Sequence, residues 1–441
     1  MEMMGIVVAI LVLAIGAYNG MSALAISLMA STVVIVSNGM PIWGGFAVNF
    51  MTGYTNAYMG FFLLFAAASL YASFMDKSGS ATAIGYKFID WFGKDRIMLV
   101  STLTVAMLTY GGVSLFVVIF AVVPIFYVLF KESGLPRHFI VASTVAGSAT
   151  FTMTSLPGTP ALTNVIPTNF LPTTLTAAPV MGIAASFLIF GFAMLYMNWE
   201  EKRIRARGEV FTFPEGTDPS SYQIDRKDLP SAAVAFAPII ALLGIILFGG
   251  HYSERLAELT ATQLAIFAML VGTVIVFVLN FSRFMKQDMK AVISRGVDGG
   301  IAGIGGFAAV LAFGAVVQAS PAFQTIVQWV MSLDVNMYMR AVIATAVVAA
   351  ATGSSSGGLN IMYNSLGHIF LDSGVNYEIL HRLTSLAAGT LDTLPHSPGL
   401  FVTFAVLGLS PKVAYRHVFF TSVVGPTITA LIMLGLVVAF L

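Results

Sequence analysis

Asp392 stands inside the long apolar stretch 378–410, and His396 follows it four residues later. A charged side chain at the centre of a bilayer costs roughly 2.5–3.5 kcal/mol on insertion scales, so one retained there points to function. Aspartate can carry a proton or, when ionised, hold a small cation, and histidine exchanges protons near a reference pKa of about 6.5. Two structural readings stand beside these: an aspartate bonded to amides freed by a helix break, and a histidine capping that break. Polar and glycine residues cluster in four places. Ser155, Gly158, Thr159 and Asn164 lie in 138–170, Thr393 and Ser397 lie beside Asp392, Gly111 and Gly112 interrupt 97–130, and Ser354, Ser355, Ser356, Gly357, Gly358 and Asn360 interrupt 341–371. Their hydroxyls and amides can donate to a carboxylate or hydroxyl ligand, and glycine lets a backbone amide approach one closely. Close packing through small residues explains any single member equally well; the cluster is stronger than its members.

Such residues need elements to hold them, and composition says which kind. The chain of 441 residues is 58% hydrophobic and 9% charged, with a net charge of +1 and no cysteine. Soluble proteins carry roughly a quarter charged residues, so lipid is the main solvent here. No basic face exists for nucleic acid, and disulfides, thiolate metal sites and cysteine nucleophiles are excluded. No metal site and no cofactor are expected. At about 20 residues per crossing the length suffices for about ten spans. Apolar stretches fall at 5–17, 22–37, 57–75, 138–170, 174–198, 231–250, 260–281, 299–319, 378–410 and 415–441. The start, Met1-Glu2-Met3-Met4, lacks the positive charge of a signal peptide, so the first stretch reads as a span.

Lys and Arg concentrate in 76–96, 131–137, 199–230, 282–298 and the turn holding Lys412 and Arg416, which places these segments in the cytoplasm. The segments 320–339, 372–377 and 251–259 are poor in net positive charge and belong outside. A single crossing by 97–130 would put its two basic flanks on opposite faces, so a re-entrant hairpin is expected there. By the same reasoning 341–371 is a hairpin entering from the other face.

Leu156, Pro157 and Pro160 in Thr152–Pro160 match Leu394, Pro395 and Pro398 in Thr390–Pro398, all with one offset of 238 residues. The expected fold is therefore an all-α membrane protein of two inverted repeats. It has about ten transmembrane helices, two re-entrant helical hairpins and two broken helices. Residues 1–199 form the first repeat (hairpin 97–130, broken helix 138–170), 200–230 a cytoplasmic linker, and 231–441 the second repeat (hairpin 341–371, broken helix 378–410). Inverted repeats are characteristic of secondary transporters. Paired prolines remove backbone donors, so both breaks should sit where protein or a watery cavity covers the freed groups. Half-helix N-termini suit an anion and C-termini a cation, which favours a small carboxylate moved with a coupling ion. Plain proline kinks are the alternative, weakened by the matched pair.

Gly296, Gly299, Gly300 and Gly303 give small-residue spacing at the start of a span and read as close helix contact. The run Gly353-Ser354-Ser355-Ser356-Gly357 satisfies the G-x-S-x-G pattern of serine hydrolases, but it interrupts an apolar, helical stretch where that motif needs a strand leading into a helix. An intramembrane serine hydrolase using His368, His381 or His396 is the reading from another class, and a channel is a third; an enzyme is not expected. The polar linker reads as a mobile connector.

The segments Thr154–Pro160, Ala351–Asn360 and Leu391–His396 resemble the gluconate permease (GntP) family, including its hydroxybutyrate-permease-like branch, within the ion transporter superfamily. The resemblance covers essentially the whole chain. It implies an inner-membrane protein that symports small hydroxy-monocarboxylates such as gluconate or 3-hydroxybutyrate, generally with protons, sodium being the rival ion. It also implies an elevator motion of a transport domain against a scaffold, and a homodimer. On this reading Asp392 and His396 serve the coupling ion and the other residues named above contact the substrate. Many members of the branch have Asn-Gly-Ala after the histidine; Ser397-Pro398-Gly399 stands here, so substrate preference does not transfer.

Overall fold

The computed structural model describes residues 2–19, 21–111, 115–214, 226–395 and 397–440. Among them, all regular structure is helical. The first half holds α1 (Glu2–Tyr18), α2 (Ala23–Ser37), α3 (Ile42–Lys77), α4 (Ser80–Phe92), α5 (Ile97–Tyr110) and α6 (Leu115–Ser133). It continues through the short pieces α7 (Ile140–Ser148), α8 (Phe151–Thr154) and α9 (Leu162–Val165) to α10 (Pro179–Ala206). The second half holds α11 (Ala232–Tyr252), α12 (Ala261–Leu279), α13 (Met289–Gln318), α14 (Pro321–Ser332), α15 (Met337–Thr352) and α16 (Ser355–Leu371). It ends with α17 (Tyr377–Ala388), α18 (Pro398–Val406) and α19 (Pro411–Phe440). Ala23 and Ala261 open α2 and α12, and Met51 and Met289 open the long regular stretches of α3 and α13; each pair is separated by the same 238 residues as the proline motifs.

Side-chain caps set many of these boundaries. Thr260 forms a capping box with Gln263, and Asp288, Ser320, Asn336 and Asn376 each accept from an amide of the helix they precede. The structure differs from expectation at several boundaries. The stretches 76–96 and 320–339 contain the amphipathic helices α4 and α14, of 13 and 12 residues, about 20 Å long and too short to cross. α3 starts at Ile42 rather than 57, and α13 at Met289 rather than 299, because polar residues end an apolar run without ending a helix. Thr55, for example, returns its hydroxyl to the Met51 carbonyl at 2.8 Å. α10 runs past residue 199 to Ala206, so the linker begins as helix.

The halves are related by a twofold exchange. α3 and α13 pack along each other, α2 packs on α13 while α12 packs on α3, and α5 lies on α7 as α15 lies on α17. The α3–α13 seam is stripped to backbone. A β-carbon on Gly300 would stand 2.8 Å from Ala66 Cα, one on Gly53 2.6 Å from Ala315 Cβ, and one on Gly299 2.5 Å from the Ser69 hydroxyl. The glycines singled out in 296–303 are thus helix contacts.

α10 fixes how the two hairpins, α5–α6 and α15–α16, enter. At its C-terminal end Arg205 Nη1 donates to Ser133 O at 3.0 Å, where α6 ends, and Asp95 and Arg96, just before α5, line a cavity with Asn198 and Glu201. At its N-terminal end Ala178 N donates to Glu378 Oε2 at 3.2 Å, and Asn376 N donates to the Tyr338 hydroxyl at 2.9 Å, bringing the start of α15 beside the segment that follows α16. Its 28 residues, rising about 1.5 Å each, put about 42 Å between those ends. The hairpins therefore enter from opposite sides. The basic segments gather on the first side: Arg226 pairs with Asp90 at 3.1 Å, Gln287 donates to Lys77 O at 2.9 Å, and the buried Glu200 takes both Arg207 at 3.1 Å and Arg416 at 3.4 Å.

The stretch after α10 is anchored. Phe211 and Phe213 pack edge-on against Tyr127, and Glu209 meets His138 Nε2 at 2.8 Å while His138 Nδ1 meets His417 Nε2 at 3.0 Å. Burial works to raise the Glu209 pKa, but hydrogen bonds from His138 and Arg207 outweigh it and leave the carboxyl below its usual range. A depressed carboxylate pKa contributes stability above the unfolded value and loses it as pH falls through the folded one. Glu209→Gln should therefore melt slightly below wild type at neutral pH, by no more than about 2 °C for a partly exposed pair, and the gap should close below pH 4.5. Melting curves of both proteins across pH test this. Gly300→Ala should cost about 1–3 kcal/mol because backbone atoms cannot yield, whereas Gly244→Ala, with nothing within 4 Å, should be near neutral; thermal unfolding in detergent compares them.

Candidate functional site

Both broken helices are open where the prolines fall. After α8 the chain leaves helical geometry from Ser155 to Ala161 and resumes at Leu162; after α17 it does so from Gly389 and resumes at Pro398. Proline has no amide to donate, and Pro398 takes the first position of α18, where none is needed. The first break is held by the chain that follows it. Gly158, at φ +80, donates its amide to Leu175 O at 2.8 Å, a conformation that strains other residues. Asn164 Nδ2 donates to Thr159 O at 2.9 Å and to Leu175 O at 2.8 Å, while Asn164 Oδ1 accepts from His381 Nε2 at 3.1 Å. That bond places the imidazole proton on Nε2 and leaves Nδ1 to accept from the Thr173 hydroxyl at 2.8 Å.

Each hairpin tip reaches a break. At the first tip the Tyr110 hydroxyl donates to Pro157 O at 2.8 Å. At the second, Gly353 closes α15 at φ +61 and Ser354 caps α16, accepting from Gly357 N at 3.1 Å, so the chain reverses within two residues. This presents Ser355 to the Asp392 carboxyl group and to Met153 Sδ, 3.9 Å away. The breaks touch each other: a β-carbon on Gly389 would stand 2.5 Å from Thr154 Cγ2. Asp392 is buried, the amides of residues 392 and 393 face its carboxylate, and its Oδ1 has no hydrogen-bond partner among the described residues. Beside the first break Arg382 has 0% of its surface exposed. Its Nε and Nη2 donate to Ala177 O at 3.2 and 2.7 Å, and Nη1 has no partner among the described residues. Each break thus has a buried charged group beside it, one acid and one base, each with a polar atom unpartnered among the described residues.

Opposed hairpins and paired breaks around buried charges are the anatomy of a permease, and a family model described as GntP family permease matches residues 1–385. The chain belongs to the GntP permease family. An uncharacterized transporter of Bacillus subtilis strain 168, YxjC, is 28% identical over 456 residues, covering 95% of each protein. An uncharacterized transporter of Haemophilus influenzae is 23% identical, covering 82% of this chain and 81% of that one. The fold is similar to the crystal structure of the Alcanivorax borkumensis YdaH transporter, with a TM-score of 0.51 at 15% identity over 88% of both chains. It is also similar to Neisseria gonorrhoeae MtrF, with a TM-score of 0.52 at 12% identity, covering 88% of this chain and 83% of that one. The protein is a multi-pass transporter of the cell membrane and not an enzyme.

In this GntP-family permease the expected site residues divide by what they touch. Ser355 and Thr393 come together around Asp392, with Thr393 bonded to Ser422 at 2.7 Å, and the buried Ser397 closes the same turn through its amide to Leu394 O at 2.8 Å. Ser155, bonded to Ser186 at 2.9 Å, Gly158 and Thr159 build the first break. Asn164 spends both amide protons on the break, so it positions the turn instead of offering a free donor. Gly111 packs on Ile239, and Gly358 on the Ala349 backbone, where a β-carbon would stand 2.4 Å away; both are contact glycines. Gly357 and Ser354 form the α16 cap, and Ser356 and Asn360 are half-buried on the same helix. Gly112 and His396 lie outside the described residues. Ser355 sits at a helix start, without the strand that a hydrolase serine needs. Sequence reasoning missed Arg382 and Tyr110 as site residues and named His381 only as a base for the hydrolase reading. The signal for Arg382 was the one used for Asp392, a charge inside a span, but its place near the end of the stretch let it pass as a flank.

Gly389→Ala should drive the two breaks apart, costing about 1–3 kcal/mol and most of the transport. Adding Thr154→Ala removes the clashing methyl and should restore most of the loss. Melting temperature and uptake of the single and double variants form the cycle, and simple additivity would show that the contact is absent.

Proposed function

We propose that this permease is a proton-coupled symporter of a small hydroxy-monocarboxylate, of the class of gluconate or 3-hydroxybutyrate. The observation that carries the reading is Asp392: a carboxylate buried between two broken helices with one oxygen unpartnered among the described residues. Such a group takes a proton at little geometric cost, and the half-helix ends around it suit opposite charges. A monoanion moving with one proton is electroneutral, so the pH difference drives it at about 1.4 kcal/mol per unit. We read the two hairpins and two breaks as one transport domain moving elevator-fashion against a scaffold that includes the α3–α13 pair, in a homodimer. Ser355 and Thr393 line the coupling side, with Ser155, Gly158 and Thr159 at the first break.

Sodium is the competing ion, since an ionised Asp392 beside open carbonyls would also hold a small cation. In proteoliposomes with a one-unit inward pH gradient, wild type should accumulate 3-hydroxybutyrate or gluconate about tenfold. Asp392→Asn should bring accumulation near equilibrium while the protein remains folded. Fully coupled uptake by the variant would remove Asp392 from the mechanism. Loss of uptake on replacing sodium with choline at fixed pH would reassign the coupling ion.

A further inference from the structure

Arg382 is a fully buried guanidinium with no ion-pair partner among the described residues. Its only hydrogen-bond acceptor among the described residues is the Ala177 carbonyl, which takes Nε and Nη2 and leaves Nη1 bare. The fold goes to some length to keep it so. Ala178 adopts a left-handed φ of 42°, a strained geometry for a residue with a β-carbon, at the turn that presents the preceding carbonyl to the guanidinium. Gly182, one turn into α10, lets that helix close on the guanidinium and the first break: a β-carbon there would stand 3.2 Å from Arg382 Nε and 2.4 Å from Ser155 O. The nearby carboxylate on its own helix, Glu378, is exposed and bonded to Ala178 N, and it forms no ion pair with Arg382. An unpaired buried cation is strongly destabilising, and a guanidinium cannot escape the cost by losing its proton, so such a group is kept where an anion completes it.

The guanidinium stands against the first break, whose Ser155 O and Pro157 Cδ border Gly182 beside it, and the Tyr110 hydroxyl at the first hairpin tip is within electrostatic reach. We infer that Arg382 is the substrate anchor, its Nη1 donating to one carboxylate oxygen at the first break while Asp392 serves the coupling ion at the second. The inference rests on the carboxylate reading given above and adds the residue that would carry it. It also gives each passenger its own charge, one beside each break.

Binding to the purified full-length protein tests it, with 3-hydroxybutyrate and gluconate against their neutral primary amides. Wild type should prefer each carboxylate over its amide by about tenfold or more. Arg382→Lys, which keeps the charge but loses the planar fork, should weaken carboxylate binding by about tenfold with amide binding unchanged. Arg382→Gln should abolish the preference and still bind the amides, an outcome a purely structural arginine does not give, because misfolding would lose both ligands together. Should Arg382→Gln not fold, the Arg382→Lys ratio decides alone. Variants that keep the wild-type preference overturn the anchor and leave the carboxylate transporter standing. A wild type that binds amides as well as acids also overturns the anchor. A wild type that binds none of the four overturns the carboxylate reading itself, and the anchor with it.

Discussion

Lipid offers no partner to an open peptide group, so a chain that breaks two helices within the membrane must bring those breaks into its own interior. Here they are brought to each other. Thr154 meets Gly389 with no side chain between them, Tyr110 closes on Pro157 O, and Ser355 closes on Asp392. Other groups at the first break are answered from its own half, as Gly158 N is by Leu175 O and Thr159 O by Asn164.

That arrangement needs a rigid frame, and the frame is built by subtraction. Gly53, Gly296, Gly299 and Gly300 let α3 and α13 approach to backbone contact, which dispersion rewards in a bilayer where apolar burial earns little. The reciprocal packing of α2 on α13 and α12 on α3 ties the halves across this seam. Ser101, Thr102 and Thr104, buried in α5, return their hydroxyls to their own helix, Thr102 to Met98 O at 2.7 Å, so these three add no demand for partners elsewhere.

Much of this was legible in the residues. The offset between Pro157 and Pro395 located both breaks and reappears in the starts of α2 and α12. Lys and Arg distribution gave the two sides of the hairpins, because charge asymmetry is a property of loops that survives without coordinates. Helix ends at Ile42 and Met289 were not legible, since polar residues interrupt the apolar run there without ending the helix. The amphipathic α4 and α14 were hidden for the same reason. At the site, Asp392 announced itself by burial cost, while Arg382 could be told from a flanking charge only once its depth was known. The sharing of Asn164 between Thr159, Leu175 and His381 joins residues more than 200 positions apart, which no spacing rule reveals.

α10 carries the entrance of one hairpin at its foot and that of the other at its head, about 42 Å apart. It acts as a balance beam set upright in the membrane. A body that includes this helix and both entrances cannot lift one toward its own water without sinking the other.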